Sequence, residues 1–341
     1  MVCFVHISDT HLGYRTGTAL SPNGINQRAE DFSNAWLDAC RQIAEIQPDF
    51  VIHSGDVFHV PKPTYRAVKD FIEGARLFAP IPLIIVAGNH ETSRLRAETS
   101  VIDLVAASLE HVIATAGFAE RVVSVAGQQI TCVPWGRLVE NRELELDGEG
   151  ILVSHGDTPV VAFATLETGK GAVLQGILDQ PWDYIAMGHI HQAQCAWREN
   201  AWYAGSTERC GWSDVDASPG FYIVELPGPK ITKRKVAHRE FIDLGTIEDN
   251  DAAQAVLEVR HRVDDRNPLA VMRAHAARLS GSQKWIFERT CRNTLGLKHF
   301  TASYAADQRV EKSLPVEVKM GSPEQMLSLI HISEPTRQAE I

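Results

Sequence analysis

The chain has 341 residues, of which 44% are hydrophobic and 22% are charged, and its formal net charge is −10 at pH 7. These proportions are ordinary for a globular protein and leave room for one large domain and a smaller one. No run approaches the roughly 18 apolar residues that a membrane span needs, so we expect no membrane partner. The acidic balance disfavours general nucleic-acid binding, although two bound divalent cations would supply positive charge that this count omits.

The six cysteines are scattered along the chain without a Cys-x-x-Cys pair. This spacing is typical of reduced thiols and argues against a zinc ribbon or a disulfide framework. The N-terminal stretch starts directly with a strand-like apolar run and lacks the charged and apolar segments of a secretory signal. These features predict a cytoplasmic protein.

The first part of the chain alternates short apolar runs with segments of helical periodicity. Residues 3–8, 50–54 and 82–88 are predicted as buried strands, and residues 27–46 and 64–78 as helices. Strand–helix–strand alternation implies parallel pairing in a layered α/β domain.

From about Arg121 the strand-like pieces follow one another at shorter spacing. VVSVAG, QQITCVPW, GILVSHG, YIAMG, AWYAGS and GFYIVEL predict a second sheet packed on the first. Pro227-Gly228-Pro229 marks the end of this region. We therefore predict one domain over residues 1–229 and a small α+β domain over residues 230–320, with a helix at 268–279.

The C-terminal stretch LSLIHISEPTR resembles the translation of a transposase-type sequencing adapter. We expect the natural sequence to be cut off near Met326 and residues 327–341 to be a non-native tail. His331 is therefore assigned to no site.

Five clusters of Asp, Asn and His each follow an apolar run. In an open α/β sheet, ligands bind at the carboxyl ends of the strands, so these clusters are candidates for one shared site. Asp, Asn and His without cysteine suit manganese or iron better than a structural zinc ion. The clusters are Asp9-Thr10-His11, Gly55-Asp56, Gly88-Asn89-His90, Ser154-His155 and Gly188-His189-Ile190-His191.

The order DxH, GD, GNH, H and GHxH resembles that of the calcineurin-like metallophosphoesterases, over roughly residues 2–226. The resemblance implies a two-sheet β-sandwich flanked by helices and two divalent metal ions that activate a water molecule and neutralise charge on the phosphate. It also implies that the carboxylate at Asp56 bridges the two ions. The first ion would be held by Asp9, His11, Asp56 and His191, and the second by Asp56, Asn89, His155 and His189.

Further features are similar to the SbcD-type DNA repair nucleases of the meiotic-recombination-eleven family. They are His59 in GDVFH, QRAEDF at residues 27–32, and AGSTER followed by GFYIVEL. The resemblance implies that His90 assists departure of the sugar oxygen and that His59 positions the scissile phosphodiester. It implies a manganese-dependent 3′-to-5′ exonuclease on duplex ends and single-strand endonuclease in double-strand break repair. The implied partners are DNA, a second copy of the chain, and an SbcC-type coiled-coil ATPase.

Two other functions stay open. One is a phosphoesterase for small phosphodiesters or phosphomonoesters, because the DxH and GNH motifs do not separate these substrates from DNA. The other is a non-catalytic scaffold that binds DNA or an ATPase. Individual side chains also have simpler explanations, namely packed strand residues for His6 and His53, and a core or groove position for Trp212. Arg209 contacts phosphate or is an ordinary exposed arginine.

Overall fold

The computed structural model describes residues 1–304 except 18, 94–97, 141–143, 145, 159–172, 174, 197, 264–266 and 268–269. Met1–Ser303 form one compact unit. Residues 305–320 of the predicted smaller domain and the predicted tail at 327–341 lie outside the described residues. Among the helices that are described, none combines the length and the apolar character needed to cross a membrane.

The first sheet has six strands and contains the predicted N-terminal α/β layer. Three helices connect its parallel strands: α1 (Gln27–Ile46), α2 (Tyr65–Leu77) and α3 (Val101–Ser108). In spatial order the strands are β12 (Lys230–Lys235), β11 (Gly220–Leu226), β1 (Val2–Ile7), β2 (Phe50–His53), β3 (Leu83–Val86) and β4 (Val112–Thr115). From β1 to β4 the pairing is parallel, whereas β11 is antiparallel to both β1 and β12.

The second sheet also has six strands. Two described helices lie in the segments that connect them: α4 (Trp135–Val139) follows β6, and α5 (Gln175–Leu178) lies between β7 and β8. In spatial order its strands are β5 (Arg121–Val125), β6 (Gln128–Val133), β7 (Ile151–His155), β8 (Tyr184–Gly188), β10 (Ala201–Tyr203) and β9 (Gln194–Cys195). The prediction that GFYIVEL belongs to this sheet is wrong. That segment is β11, which pairs with the edge of β1 that β2 leaves free and so extends the first sheet.

The two sheets pack face to face through alternate residues of their central strands. Phe4 stacks on Phe50 with ring centroids 4.9 Å apart and meets Tyr184 of the second sheet edge-on at 5.4 Å. Val5 points to the opposite face of β1 and joins the core formed with α1 and α2, because successive strand residues alternate between faces. This two-sheet sandwich with helices on the first sheet confirms the predicted fold class.

The helix α1 shows why the sequence pattern located the helices well. The side chain of Asn26 caps its first turn by accepting a hydrogen bond from the Ala29 amide. Phe32 and Trp36, one turn apart, are both fully buried, and Trp36 stacks on Phe71 of α2 at 4.9 Å. An apolar stripe of helical period therefore faces a partner that buries it.

The last described elements form a three-stranded parallel sheet with two helices. The strands are β13 (Phe241–Thr246), β14 (Val271–His275) and β15 (Phe300–Ser303), and the helices are α6 (Ala252–Val263) and α7 (Ser282–Asn293). The predicted helix at 268–279 is wrong, because its described part contains β14. There Met272 and Ala274 are buried while Val271 and Arg273 are half-buried, a period of two that the surrounding alanines conceal.

The predicted boundary between residues 229 and 230 stays a prediction. Lys230–Lys235 form β12, which is hydrogen bonded to β11 in the first sheet. The three-stranded sheet begins only at Phe241.

His6, on β1 of the first sheet, is buried against Tyr184 of the second sheet, so its titration reports on the packing between the sheets. It is fully buried, with Nδ1 3.0 Å from the Tyr184 hydroxyl and Nε2 2.9 Å from Ser54 Oγ. Burial, and next the neighbouring His53, lower the pKa of His6 to about 3. An unfolded histidine titrates near 6.5, so between these values the unfolded state binds more protons and stability falls as the pH falls.

We expect the metal-free wild type to lose about 2 kcal/mol more unfolding free energy than His6→Gln between about pH 7.5 and about pH 5. Urea denaturation with a chelator present measures this difference. His261→Gln, at an exposed position of α6, is the control and should follow the wild type. The same pH dependence in His6→Gln and wild type would contradict the assignment.

Candidate metal centre

The structure brings all seven predicted metal ligands to one edge of the sandwich. The strands β1, β2 and β3 are parallel, as are β7 and β8, so their carboxyl ends meet at a common edge. Each predicted ligand follows or ends one of these five strands. The ligands are Asp9, His11, Asp56, Asn89, His155, His189 and His191.

Asp56 lies between two groups of these side chains. Its Oδ2 atom is 3.7 Å from Nε2 of His11 on one side and 3.4 Å from Nε2 of His155 on the other. The carboxylate is therefore placed where one group can serve two neighbouring sites.

The first group surrounds His11. Ligand atoms of Asp9, His11 and Asp56 all lie within 4.8 Å of one another, and all three residues are buried. Nε2 of His191 approaches Nε2 of His11 to 3.0 Å. Four side chains thus point their donor atoms into one small volume.

The second group surrounds Asn89. Ligand atoms of Asp56, His155 and His189 lie within 4.8 Å of one another. Oδ1 of Asn89 is 3.0 Å from Nε2 of His155 and 3.1 Å from Nδ1 of His189. The two groups share Asp56, as the resemblance implies.

The hydrogen-bonding pattern of His155 tests whether this arrangement fits a cation. Its Nδ1 lies 2.8 Å from the carbonyl oxygen of Ser54, which only accepts, so Nδ1 carries the hydrogen. In the neutral imidazole, Nε2 then presents its lone pair to Oδ1 of Asn89 and Oδ2 of Asp56, which are also acceptors, so either a proton on Nε2 or a metal ion must supply the positive charge there. A positive charge among these three atoms relieves their repulsion, so this donor set fits a divalent metal ion.

The pKa values of His155 and Asp56 also indicate that positive charge is stabilised at this position. Burial alone would lower the pKa of His155, but the adjacent Asp56 carboxylate outweighs it and raises the pKa to about 9. Burial likewise opposes ionisation of Asp56, yet His155 holds the pKa of this carboxyl well below its usual range. Burial lowers the pKa of His11 and lowers that of His189 to about 4, so both imidazoles are neutral donors near pH 7.

Four of the predicted ligands have an unusual backbone conformation. The φ angle is +51° at Asp9, +41° at His11, +53° at Asp56 and +102° at His189. Positive φ is uncommon for residues other than glycine and costs energy, although Asp and His tolerate the left-handed region better than most. Such strain concentrated at one edge of the fold is characteristic of functional sites, where side-chain placement outweighs backbone preference.

Two motif glycines are required because ligand side chains pack against them. A Cβ atom on Gly88 would lie 2.1 Å from Oδ1 of Asp56, and one on Gly55 would lie 2.4 Å from Nδ1 of His155. Gly55 also has a φ of +99°. The glycine in each motif therefore makes room for a ligand that belongs to a different motif.

We expect Gly88→Ala to displace the Asp56 carboxylate. A shift of about 1 Å in a catalytic group costs on the order of 10²-fold in rate, and we expect a loss of turnover of that size with weaker metal binding. Phosphodiester hydrolysis and Mn²⁺ titration measure the two effects. Gly176→Ala is the control, because a Cβ there meets no described atom within 4 Å. Unchanged turnover in Gly88→Ala would contradict the proposed packing.

Glu91, the residue after His90, connects two loops of the centre through backbone amides. The His90 ring has a different partner, since its Nδ1 donates to the carbonyl oxygen of His59 at 2.6 Å. The buried Glu91 carboxylate accepts three backbone amides: Asp56 at 3.1 Å, Phe58 at 2.6 Å and Gly88 at 3.0 Å. It therefore ties together the loops that follow β2 and β3.

The predicted catalytic histidines lie beside the two ligand groups. The rings of His59 and His90 stack with centroids 4.9 Å apart. Nε2 of His90 is 3.8 Å from Oδ2 of Asp56, and Nδ1 of His59 is 3.4 Å from Nδ1 of His11. The side chain of His90 is 32% exposed, so it faces the open side of the centre. Their catalytic roles stay predictions.

Sequence reasoning missed Asp214 and left Arg209 open. Oδ2 of Asp214 lies 2.8 Å from Nδ1 of His191, and no motif marked this residue. The guanidinium group of Arg209 donates to three backbone carbonyls, those of Asp214, Ala217 and Arg239, so it has a structural role in this state.

A two-sheet sandwich with buried His/Asp clusters that can hold divalent ions defines a metal-dependent phosphoesterase. The sequence profile described as calcineurin-like phosphoesterase matches residues 4–193, more than half of the chain, and the chain belongs to this family.

Curated relatives carry a more specific name. The chain is 29% identical over 286 residues to "DNA double-strand break repair protein Mre11" of Methanococcus maripaludis, covering 76% of this chain and 73% of the relative. It is 29% identical over 277 residues to the protein of the same name from Methanocaldococcus jannaschii, covering 75% and 72%. For the Halobacterium salinarum protein of that name the identity is 29% over 283 residues, covering 76% and 68%.

Proposed function

We propose that this protein is a metal-dependent DNA nuclease that acts in double-strand break repair. The observation that carries the proposal is the convergence of seven Asp, Asn and His side chains on the shared carboxylate of Asp56. The relatives named as DNA double-strand break repair proteins extend over three quarters of the chain and support DNA as the substrate.

In this proposal the two groups around Asp56 would hold two divalent ions, manganese by preference. Asp9, His11 and His191 would hold the first ion, Asn89, His155 and His189 would hold the second, and the Asp56 carboxylate would contribute to both. The seven proposed ligands supply carboxylate, amide and imidazole atoms, which suit manganese or iron better than a structural zinc ion.

The ions, when bound, lower the pKa of the attacking water and neutralise charge that develops on the phosphate oxygens. The chain contributes orientation and proton transfer. His90 donates Nδ1–H to the carbonyl of His59, and in its imidazolium form it carries a second proton on Nε2, the nitrogen nearer Asp56. Transfer of that Nε2 proton to the departing sugar oxygen would leave a neutral imidazole that keeps its Nδ1–H bond. His59 stacks on His90 and holds the scissile phosphodiester beside it.

A cavity beside the centre favours DNA over a small phosphoester. Its volume is about 520 Å³, and its lining includes the aromatic rings of Tyr14 and Trp212 and the exposed cations of Arg292 and Lys298. Tyr14 also contacts His59 edge-on at 4.8 Å, so the cavity adjoins the proposed catalytic residues. Aromatic faces and cations together suit bases and phosphates beyond the scissile bond.

We further propose that the chain acts in the cytoplasm as a homodimer with an SbcC-type coiled-coil ATPase. The basis is its similarity to SbcD-type sequences. Co-purification with such an ATPase, and light scattering of the chain alone, test these two assemblies separately.

The decisive experiment compares substrates under one metal condition. Metal-free protein is supplied with Mn²⁺ and given end-labelled duplex DNA, single-stranded DNA, bis-p-nitrophenyl phosphate and cyclic nucleotides. We expect cleavage of DNA, enhanced on duplex ends by the partner ATPase, and two equivalents of bound manganese by elemental analysis. Turnover of small esters without DNA cleavage would replace the nuclease with a small-substrate phosphoesterase, and absence of bound metal would favour a scaffold.

A further inference from the structure

Asp214 lies against the centre although none of the sequence motifs includes it. It ends a one-turn 3₁₀ helix, Trp212–Asp214, in the connection between β10 and β11. Its side chain is buried, with 8% of the residue exposed. Oδ2 of this carboxylate is 2.8 Å from Nδ1 of His191.

This contact fixes which nitrogen of His191 is available as a ligand. A carboxylate only accepts hydrogen bonds, so Nδ1 carries a hydrogen and, in the neutral imidazole, Nε2 keeps its lone pair. Nε2 is the atom that lies 3.0 Å from Nε2 of His11, inside the first ligand group. Asp214 therefore sets both the tautomer and the plane of the His191 ring.

The Asp214 carboxylate is itself held in place. Its Oδ2 also accepts the amide of Cys210 at 2.9 Å, and its Oδ1 accepts the hydroxyl of Ser213 at 3.1 Å. The backbone oxygen of Asp214 accepts Nε of Arg209 at 3.2 Å. The Cys210 amide holds Oδ2, the oxygen that contacts His191, whereas the Ser213 hydroxyl reaches only Oδ1. The support for the imidazole therefore depends on the Cys210 amide and on the restrained backbone of Asp214.

We propose that Asp214 is a positioning residue for the metal centre, acting through His191. This inference rests on the proposed ligation of metal by His191 and is independent of the substrate. A carboxylate partner on a ligating histidine both orients the ring and makes its second nitrogen a stronger donor, and loss of such a partner costs about 10–100-fold in metal affinity.

The test measures Mn²⁺ affinity without substrate, by titration with EPR detection of the free ion. We expect Asp214→Ala to weaken Mn²⁺ binding at one of two sites by about 10–100-fold. Asp214→Asn should restore most of this loss, because its amide oxygen can accept from both His191 and Cys210. Ser213→Ala is the matched control: it removes the Oδ1 contact alone, and we expect its Mn²⁺ affinity to equal that of the wild type.

NMR of ¹⁵N-histidine-labelled, metal-free protein supplies a readout that a merely structural role would not move. We expect the Nδ1–H tautomer of His191 in the wild type and Asp214→Asn, and a mixture of tautomers in Asp214→Ala. Wild-type affinity in Asp214→Ala, or equal losses in Asp214→Ala and Ser213→Ala, would overturn the inference. If Asp214→Ala does not fold, a mixture of His191 tautomers in Asp214→Asn would overturn the inference. No Mn²⁺ binding by the wild type would instead overturn the metal centre itself.

Discussion

Asp56→Asn should abolish turnover and reduce bound manganese from two equivalents to one or none. Oδ2 of Asp56 is the atom that both ligand groups share, and the substitution places an amide NH₂ there, which cannot ligate a metal ion. Bridging carboxylates offset the repulsion between two closely spaced cations, so we expect a loss of at least about 10³-fold in kcat/KM, or about 4 kcal/mol of transition-state stabilisation. Hydrolysis assays and elemental analysis measure the two effects.

The substitution preserves the loop around Asp56, so the expected loss reflects chemistry and not unfolding. Oδ1 accepts the amide of His90 at 3.0 Å, and an asparagine oxygen can take the same position. Asp70→Asn is the matched control, because Asp70 is also buried, at 5% exposure, and accepts a hydrogen bond from Ser33. Bound metal and turnover near wild-type levels in Asp56→Asn would refute the bridging role.

The central fold could be predicted because local and tertiary preferences agree there. The predicted helices at 27–46 and 64–78 correspond to α1 and α2, and the apolar runs correspond to β1, β2 and β3. In each of the two helices, a period near 3.6 residues matches one buried face. Where a strand is buried on both faces, as β2 is, the run is continuously apolar and its length identifies it.

Sheet membership and the last elements could not be predicted in the same way. The segment of β11 has the same strand-like apolar pattern as its neighbours in the chain, but it pairs with β1, more than 200 residues away. That choice depends on which sheet edge is free, which no local pattern records. β14 contains one alanine and is flanked by three more, Ala270, Ala276 and Ala277, so its two-residue period is visible only in the burial that β13 and β15 give it.

The site also has features that the sequence predicts and features that it does not. The seven candidate ligands could be found because each follows a strand and keeps a motif spacing. The backbone strain of these ligands could not be predicted, because no local sequence pattern indicates a φ of +102° at His189. Asp214 could not be found either, because its partner His191 is 23 residues away and a single aspartate in a turn has no distinguishing pattern.

His90→Asn should separate chemistry from metal binding. Nε2 of His90 lies near Asp56, but the ring is also 32% exposed on the open side of the centre, so it is better placed for substrate than for ligation. Loss of a general acid costs about 10²–10⁴-fold in rate, and we expect kcat to fall within this range while two equivalents of manganese remain bound. Single-turnover cleavage of labelled single-stranded DNA measures the rate.

Two further variants test whether the loss in rate is specific to the His90 ring. His59→Gln removes the ring that stacks on His90 but keeps the His59 carbonyl that accepts Nδ1–H of His90, so we expect a smaller loss in rate. His111→Gln, whose wild-type imidazole contacts the carbonyl of Ala75 outside the centre, should behave as wild type. Loss of manganese from His90→Asn would make His90 a ligand, and an unchanged rate would remove it from catalysis. The expected outcomes would divide the centre into a metal-binding part and a proton-delivery part, which the hydrogen bond from the His90 amide to Oδ1 of Asp56 joins.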